Sequence, residues 1–385
     1  MSIDELVDWL IDGAPGANDS AEVFARIGET LHASPSRIPR IAVFVTTLHP
    51  TVAGRAFRWM AETGIHVVDA PHGAFESDTF KHSLVSEVFA TKKELRVRLG
   101  PGTDRRFEVI DHLMNDGFTD YVIMPLVFTT GQVHGITFAT KIEGGFTEQA
   151  LADLRRICRP LARLTEILSQ RRIASTLLST YVGRNSGERI LTGRIRKGDF
   201  ETLRAVIWFS DLRGFTELSS RASTREVIDT LNSVFECQVP SIETRGGEVL
   251  KFIGDGMLAI FPFAETDDPA QIGARALEAA NEALAAVATL APLRIGLALH
   301  VGELAYGNVG SANRLDFTAI GPAVNLAARL EGVCSLVGRT LVVSEEFSRL
   351  AGIATEEVGT FDLKGIPAPV RVLAPYQTTV AGRPG

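Results

Sequence analysis

Two periods of hydrophobic spacing run along this chain, and it divides where one gives way to the other. Over roughly the first 145 residues, short runs rich in Val, Ile, Phe and Thr predict strands at 41–46 (IAVFVT), 65–69, 94–99, 120–128 and 133–140. Between them, helical spacing predicts helices at 21–31, 52–63 and 106–115. The TTGQ sequence at 129–132 places Gly131 at the bend of a hairpin. The expected outcome is an antiparallel sheet flanked by helices, with no tandem repeat.

From 147 the period changes. Leu151, Leu154, Ile157, Leu161, Leu164 and Leu168 recur at steps of three and four, an a/d seam. The register breaks at Arg171-Arg172, and apolar residues resume at Ile173, Leu177 and Tyr181. Thr147 suits an N-cap, and Pro160 predicts a kink. Such a helix either packs on its own domain or pairs with a second copy. The glycine-rich, basic stretch 183–199 (GRNSGERILTGRIRKGD) has no core periodicity and marks a boundary. Beyond it, strands are expected at 203–209, 248–253, 257–262, 293–301, 304–309, 316–320 and 340–343. Helices fit 223–245, 268–291, 323–333 and 345–351. The organisation expected is one domain over 1–146, a dimerising helix and linker over 147–199, and a second domain over 200–385.

Composition removes several classes of function. At 385 residues and 45% hydrophobic, the chain can bury two sizeable cores and is too apolar to be disordered. Lys and Arg number 39 against 46 Asp and Glu, a net charge of −7, so no global field draws it to nucleic acid or anionic lipid. Cys158, Cys237 and Cys334 lie far apart, which fits free thiols in a reducing compartment better than a disulfide or zinc framework. Asp4, Glu5 and Asp8 exclude the basic start of a signal peptide. No apolar run approaches the roughly 18 residues of a membrane helix. A cytosolic protein is expected.

Three segments carry chemistry. The strand at 203–209 runs into Ser210-Asp211-Leu212-Arg213-Gly214-Phe215-Thr216, setting a carboxylate beside backbone N–H groups at a glycine turn. That suits a metal ion and a polyphosphate together, although the same pattern serves as plain turn chemistry. In LKFIGDGMLA, a hairpin turn at Gly254-Asp255 or Asp255-Gly256 carries a second aspartate, and Lys251 stands four places before Asp255. Two strand-end aspartates can close on a pair of Mg²⁺ ions with phosphate oxygens. In DFTAIGPAVNLAARL, Gly321-Pro322 starts a helix on which Asn325 and Arg329 share a face able to address phosphate or ribose oxygens.

In order and spacing, FSDLRGFT, GGEVLKFIGDGMLAIF and HVGELAYGNVG…LDFTAIGPAVNLAARLEG resemble the class III nucleotidyl cyclases, over Ile195 to about Tyr376. The resemblance implies an α+β, ferredoxin-like catalytic domain preceded by the sensor module and the connecting helix. It implies that Asp211 and Asp255 bind two Mg²⁺ per site, with Mn²⁺ as a substitute, and that the Leu212 carbonyl also reaches one metal. Lys251 and Thr318 match the pair that reads the purine, and Lys with Thr implies adenine. Asn325 matches the residue that orients the ribose, and Arg329 the one that holds the reacting phosphate. Lys364, in DLKGI, is a candidate polyphosphate contact, and Arg213, Gly214, Phe215 and Thr216 of the glycine turn are candidate substrate contacts. Thr318 in place of Asp is similar to the bacterial class IIIb branch, some of whose members respond to bicarbonate. The implied activity is conversion of ATP to cyclic AMP and pyrophosphate. A guanylate cyclase or a nucleotide-binding pseudoenzyme of the same fold is the alternative. In the family each site is shared between two chains, which implies a homodimer and favours the dimerising reading of the helix at 147–181.

The N-terminal half is less specific. Leu48-His49-Pro50, Trp59, the 117–121 segment GFTDY and Thr137-Phe138-Ala139-Thr140 before Gly144-Gly145 look like an α/β GAF-type module. Such a module implies a small-molecule ligand or a purely structural dimeriser. The histidines there show no HxxxH or HExxH spacing, which argues against a metal site.

Overall fold

The computed structural model describes residues 1–376 apart from 106 and 265. The last nine residues of the expected second domain, and the first of the helix expected from 106, lie outside the described residues. The chain separates into two compact units, Met1–Leu177 and Leu178–Gly385.

The first unit opens with α1 (Ile3–Ile11), where Ser2 Oγ accepts from Glu5 N and Glu5 accepts in return from Ser2 N. There follow α2 (Ser20–Ala33), β1 (Arg40–Thr46), β2 (Val52–Met60), β3 (Gly64–Pro71), α3 (Asp78–Lys81), α4 (Leu84–Thr91) and β4 (Leu95–Arg98). Then come α5 (Glu108–Asn115), β5 (Asp120–Val127), β6 (Val133–Thr140) and the long α6 (Glu148–Val182). The six strands form one antiparallel sheet in the order β3-β2-β1-β6-β5-β4. Alternation along β5 sends Val122 and Met124 to one face and Tyr121 and Ile123 to the other. On the first face Leu10, Phe24 and Ile27 pack with Val43, Phe57 and Leu154, a core built from α1, α2 and α6. On the second, Val88 of α4 and Ile110 and Leu113 of α5 cover Tyr121 and Ile123. The result is an N-terminal α/β unit with an antiparallel sheet, as the strand pattern predicts.

Two expectations are corrected here. The stretch 52–63, expected as a helix, is strand β2. Its Ala, Arg, Trp and Met favour a helix locally, but Gly54 to Met60 all pair with β1, and Phe57 and Trp59 alternate into the core. Gly54 is also closed to a side chain, since a Cβ would lie 2.6 Å from the Phe75 ring. The α6 seam is the second correction. Leu151, Leu154, Ile157, Leu161 and Leu164 are buried in their own unit, and Leu168 packs against them, so this stripe is not free for a second copy. The helix continues unbroken through Pro160, and beyond Leu168 the side chains of Leu177 and Tyr181 are exposed.

The second unit contains α7 (Arg184–Leu191), β7 (Phe200–Leu212), α8 (Phe215–Arg221), α9 (Thr224–Glu243), β8 (Glu248–Ile253), β9 (Gly256–Pro262) and α10 (Pro269–Ala288). It continues with β10 (Ile295–Gly310), β11 (Leu315–Ile320), α11 (Pro322–Val337), β12 (Leu341–Ser344), α12 (Glu345–Ala351), β13 (Thr355–Phe361) and β14 (Val370–Pro375). The mixed, eight-stranded sheet runs β13-β14-β12-β10-β7-β9-β8, with β11 paired to β10. β10 and β12 are parallel, and the other described pairs are antiparallel. The strands expected at 293–301 and 304–309 are one, because Gly302 and Glu303 go on pairing with Ala205 and Arg204 of β7. Helices α9, α10 and α12 cover one face, where Val234, Ala276 and Phe347 meet Val206, Trp208 and Phe261. α11 lies on the other, with Ala323 and Ala327 over Ala205 and Ile207.

The segment expected as a featureless boundary contains α7. It is held by polar burial, which hydrophobic periodicity does not register. Ser186 is fully buried, with its N–H and hydroxyl 3.3 Å from Glu248 Oε1 and its hydroxyl 2.7 Å from the Tyr306 hydroxyl. Asn185 Nδ2 donates to the same carboxylate at 3.0 Å. Among the described residues, no helix is long and apolar enough to cross a membrane.

Candidate active site

The site is built on β7, which lies between β10 and β9. Val206, Trp208 and Leu212 face the helices α9 and α10, and Ser210 Oγ donates to Gln238 Oε1 of α9 at 2.7 Å. The strand's period of two therefore turns Asp211 to the opposite face, toward α11. Its neighbours on both sides are glycines, Gly256 on β9 and Gly296 on β10. A Cβ on Gly256 would stand 2.8 Å from Ser210 O and 3.0 Å from Asp211 Oδ1. One on Gly296 would stand 1.7 Å from Arg213 Nη2. Both positions must be bare for these side chains to lie as they do.

Asp255 comes to Asp211 on a hairpin. Ile253 pairs with Gly256, leaving Gly254-Asp255 as a two-residue turn whose glycine takes φ +64°. The two carboxyl groups are within hydrogen-bonding reach, and Asp211 is pushed up to about 7, first by burial, then by the charges of Asp255 and Glu331. Opposed carboxyl groups in a half-buried site hold a proton between them or call for a cation. The geometry thus stores an unmet demand for positive charge.

Arg213 does not meet that demand. Its Nη2 lies 2.8 Å from Glu331 Oε1 of α11, and its Nη1 donates to Ser335 Oγ. Its own N–H donates to Arg294 O at 2.8 Å. Glu331 is 6% exposed, and burial raises its pKa against the opposing pull of Arg213. Leu212 buries its side chain in the helix-side core. Gly214, at φ +73°, begins α8 with no side-chain cap, Phe215 packs on the core, and Thr216 is exposed.

A second group forms where β8 meets β11. Lys251 Nζ lies 2.5 Å from Asp316 Oδ2. Thr318, two residues on, shares that face of β11 and is 7% exposed. Asn325 and Arg329 stand four apart on the exposed side of α11, whose Ala323, Ala327 and Leu330 face the sheet. Lys364 is exposed on the connection between β13 and β14, at the sheet edge opposite β8. Among the described residues, no hydrogen bond or ion pair joins the Asp211–Asp255 group to the Lys251–Asp316 group.

Sequence reasoning missed Asp316, Glu331, Ser335 and Gly296. Gly296 alone had a readable signal, as an isolated glycine inside an apolar strand. Among the described residues, no group of three or more His, Cys, Asp or Glu is placed to hold a metal ion. Asp211 and Asp255 nevertheless fit a divalent cation that draws its remaining oxygen ligands from water and phosphate.

Residues 201–376 match the family model described as the adenylate and guanylate cyclase catalytic domain. An adenylate cyclase of Anabaena cylindrica is 32% identical over 161 residues, which is 40% of this chain and 32% of that protein. The terminal-differentiation-specific adenylate cyclase of Dictyostelium discoideum is 31% identical over 173 residues, 42% of this chain and 8% of that protein. The chain thus spans a third or less of these relatives' length. Among solved structures, the adenylyl cyclase CyaB of P. aeruginosa is 28% identical, with a TM-score of 0.42, covering 46% of this chain and 94% of that one.

Proposed function

With residues 201–376 forming a class III adenylate/guanylate cyclase catalytic domain, we propose that the chain converts ATP to 3′,5′-cyclic AMP and pyrophosphate. The observation that carries this reading is the facing pair Asp211–Asp255, charge-frustrated and framed by Gly256 and Gly296. Class III cyclases are generally metal-dependent. Two Mg²⁺ ions, when bound, lower the pKa of the attacking 3′-hydroxyl and neutralise the phosphates. Asp211 and Asp255 would hold them, with the Leu212 carbonyl.

The protein's own groups position the nucleotide. Lys251 donates to N1 of adenine and Thr318 accepts from the exocyclic amine, an arrangement in which guanine's protonated N1 would face a donor. Asn325 orients the ribose. Arg329 stabilises the charge that grows on the α-phosphate as the 3′-oxygen attacks in line. The turn from Gly214 to Thr216 and Lys364 contact the polyphosphate, while Arg213 acts through Glu331 on the placement of the carboxylate pair. GTP remains a second reading for one reason. The Asp316 carboxylate at Lys251 is an acceptor that a guanine N1–H could use.

The family resemblance supports a homodimer with shared sites, and the absence, among the described residues, of any hydrogen bond or ion pair joining the two groups fits it. The N-terminal unit is read as a GAF-like regulatory module on the strength of its antiparallel sheet and the long helix leading out of it. The test mixes two dead variants, Asp211→Ala and Arg329→Ala, under conditions where subunits exchange. Activity reappearing on mixing is the expected result, since each heterodimer regains one intact site. No recovery overturns the shared site. Parallel assays with ATP and GTP settle the base, and preference for GTP overturns the roles given to Lys251 and Thr318.

A further inference from the structure

The N-terminal unit holds a cavity of about 120 Å³ between α2, the first two strands and α6. An enclosed, engineered apolar cavity of about 150 Å³ accommodates benzene; this one is smaller but open to solvent, so a ring can enter it with its polar end toward the mouth. Its floor is apolar, with Phe24, Val45 and Phe57 each under a tenth exposed, and Leu168 closes one side. Its charged lining is of one sign. Arg55 and Arg172 border it, and among the described residues no acidic side chain does.

The two arginines differ. Arg55 is clasped by Asp69, with Nη2 to Oδ2 at 2.9 Å and Nε donating to the other oxygen. Arg172 is exposed to solvent and has no ion pair or hydrogen bond among the described residues. Burial and the neighbouring Arg55 hold its pKa down, against the weaker pull of Asp69 and Asp19. A second unmet group lies deeper. Thr165 is 3% exposed, lines the cavity, and its Oγ1 has no partner. The Thr165 hydroxyl is sealed from the cavity, so a guest there does not reach it; the guanidinium beside another guanidinium and the apolar floor are both answered by one guest, an anion on an apolar body.

We infer that this cavity is a binding site for a small carboxylate with an apolar, ring-sized body, its carboxylate taken by Arg172. The wall that would receive it is one helical face, since Thr165, Leu168, Ser169, Arg172 and Thr176 follow at helical spacing on α6. Occupancy would therefore be felt by the helix that continues to Val182.

Titration calorimetry and thermal melting of the full chain with benzoate, without nucleotide, test this independently of any cyclase activity. Benzamide, which has the same shape without the charge, and inorganic phosphate, which has charge without the body, are the controls. The expected result is saturable benzoate binding that raises the melting temperature, and at least tenfold weaker binding of benzamide, of phosphate, and of benzoate by Arg172→Gln. No benzoate binding overturns the proposal. So does equal binding of benzamide, tighter binding of phosphate, or unchanged affinity in Arg172→Gln when that variant melts as the parent does.

Discussion

Each unit sets carboxylates beside its sheet, and Asp120 in the first and Asp211 in the second are treated in opposite ways. In the N-terminal unit Asp120 is fully buried and saturated with donors. Arg96 reaches it with Nε at 3.0 Å and Nη2 at 2.6 Å, and Phe146 N donates at 2.9 Å. Glu166, 8% exposed, likewise accepts from Thr129 N at 2.8 Å and from Arg163 at 3.0 Å. In the C-terminal unit the half-buried Asp211 faces another carboxyl group, and Arg213, whose charge acts on it, is turned to Glu331. A buried charge given its partners is architecture, whereas one held against a like charge marks a place where something else binds.

The comparison breaks most visibly at Asp211. If Asp211 holds metal as proposed, Asp211→Asn removes a charge the proposed reaction needs, so cyclase turnover should fall about a thousandfold, or ~4 kcal/mol of transition-state stabilisation. The same change relieves repulsion, so the urea midpoint of unfolding should hold or rise. A destabilised Asp211→Asn protein would mean that this pair is structural after all. Asp120→Asn should do the reverse. It leaves Arg96 beside an uncharged amide in a buried site and should cost about 3 kcal/mol of stability, measured by urea unfolding, with turnover per folded molecule unchanged.

A buried histidine sharpens the architectural side. His134 is 1% exposed, its Nδ1 accepts from Thr46 N at 3.2 Å, and among the described residues its Nε2 has no partner. Burial lowers its pKa to about 4, despite the opposing charge of Glu166. The unfolded chain therefore binds a proton near pH 6.5 that the folded chain refuses until about pH 4. Stability from this group is full above pH 6.5 and is lost as the pH falls from there toward 4, amounting to about 2 kcal/mol by pH 5. His134→Gln should flatten that part of the pH–stability curve relative to the parent. Parallel curves would show that His134 is not refused its proton.

How much of this the sequence disclosed depended on whether the information lay in a local pattern. β8, β6 and α12 appear at the expected boundaries because each is a short segment with one clean period and turn residues at its ends. Asp211 and Asp255 could be picked out because each sits at a strand end beside a glycine. β2 was misread because its hydrogen bonds to β1 and β3 outweigh a locally helical composition. The α6 stripe was legible as a stripe, but nothing in its spacing said whether its own sheet or a second helix would cover it. α7 escaped because its burial is polar, and it depends on Glu248, 62 residues from Ser186. Asp316 and Glu331 escaped for the same reason, since each acquires meaning only from a side chain on another element.

The finest distinction between the two kinds of charge lies at Lys251. Its partner Asp316 is 63% exposed in its side chain, so the pair resembles a surface ion pair and should contribute no more than about 1 kcal/mol to stability. Yet it stands beside Thr318, where the base is proposed to bind. If Lys251 reads adenine, Asp316 competes with N1 for the ammonium, and Asp316→Asn should leave the melting temperature within a degree or two. The KM for ATP should change less than about tenfold, a ~1.4 kcal/mol effect, while any turnover of GTP falls, because the acceptor that could take a guanine N1–H is gone. A drop in ATP turnover with GTP turnover intact would assign the carboxylate to adenine recognition instead. A loss of several kcal/mol in stability would move this pair to the side of Asp120, among the charges that hold the fold.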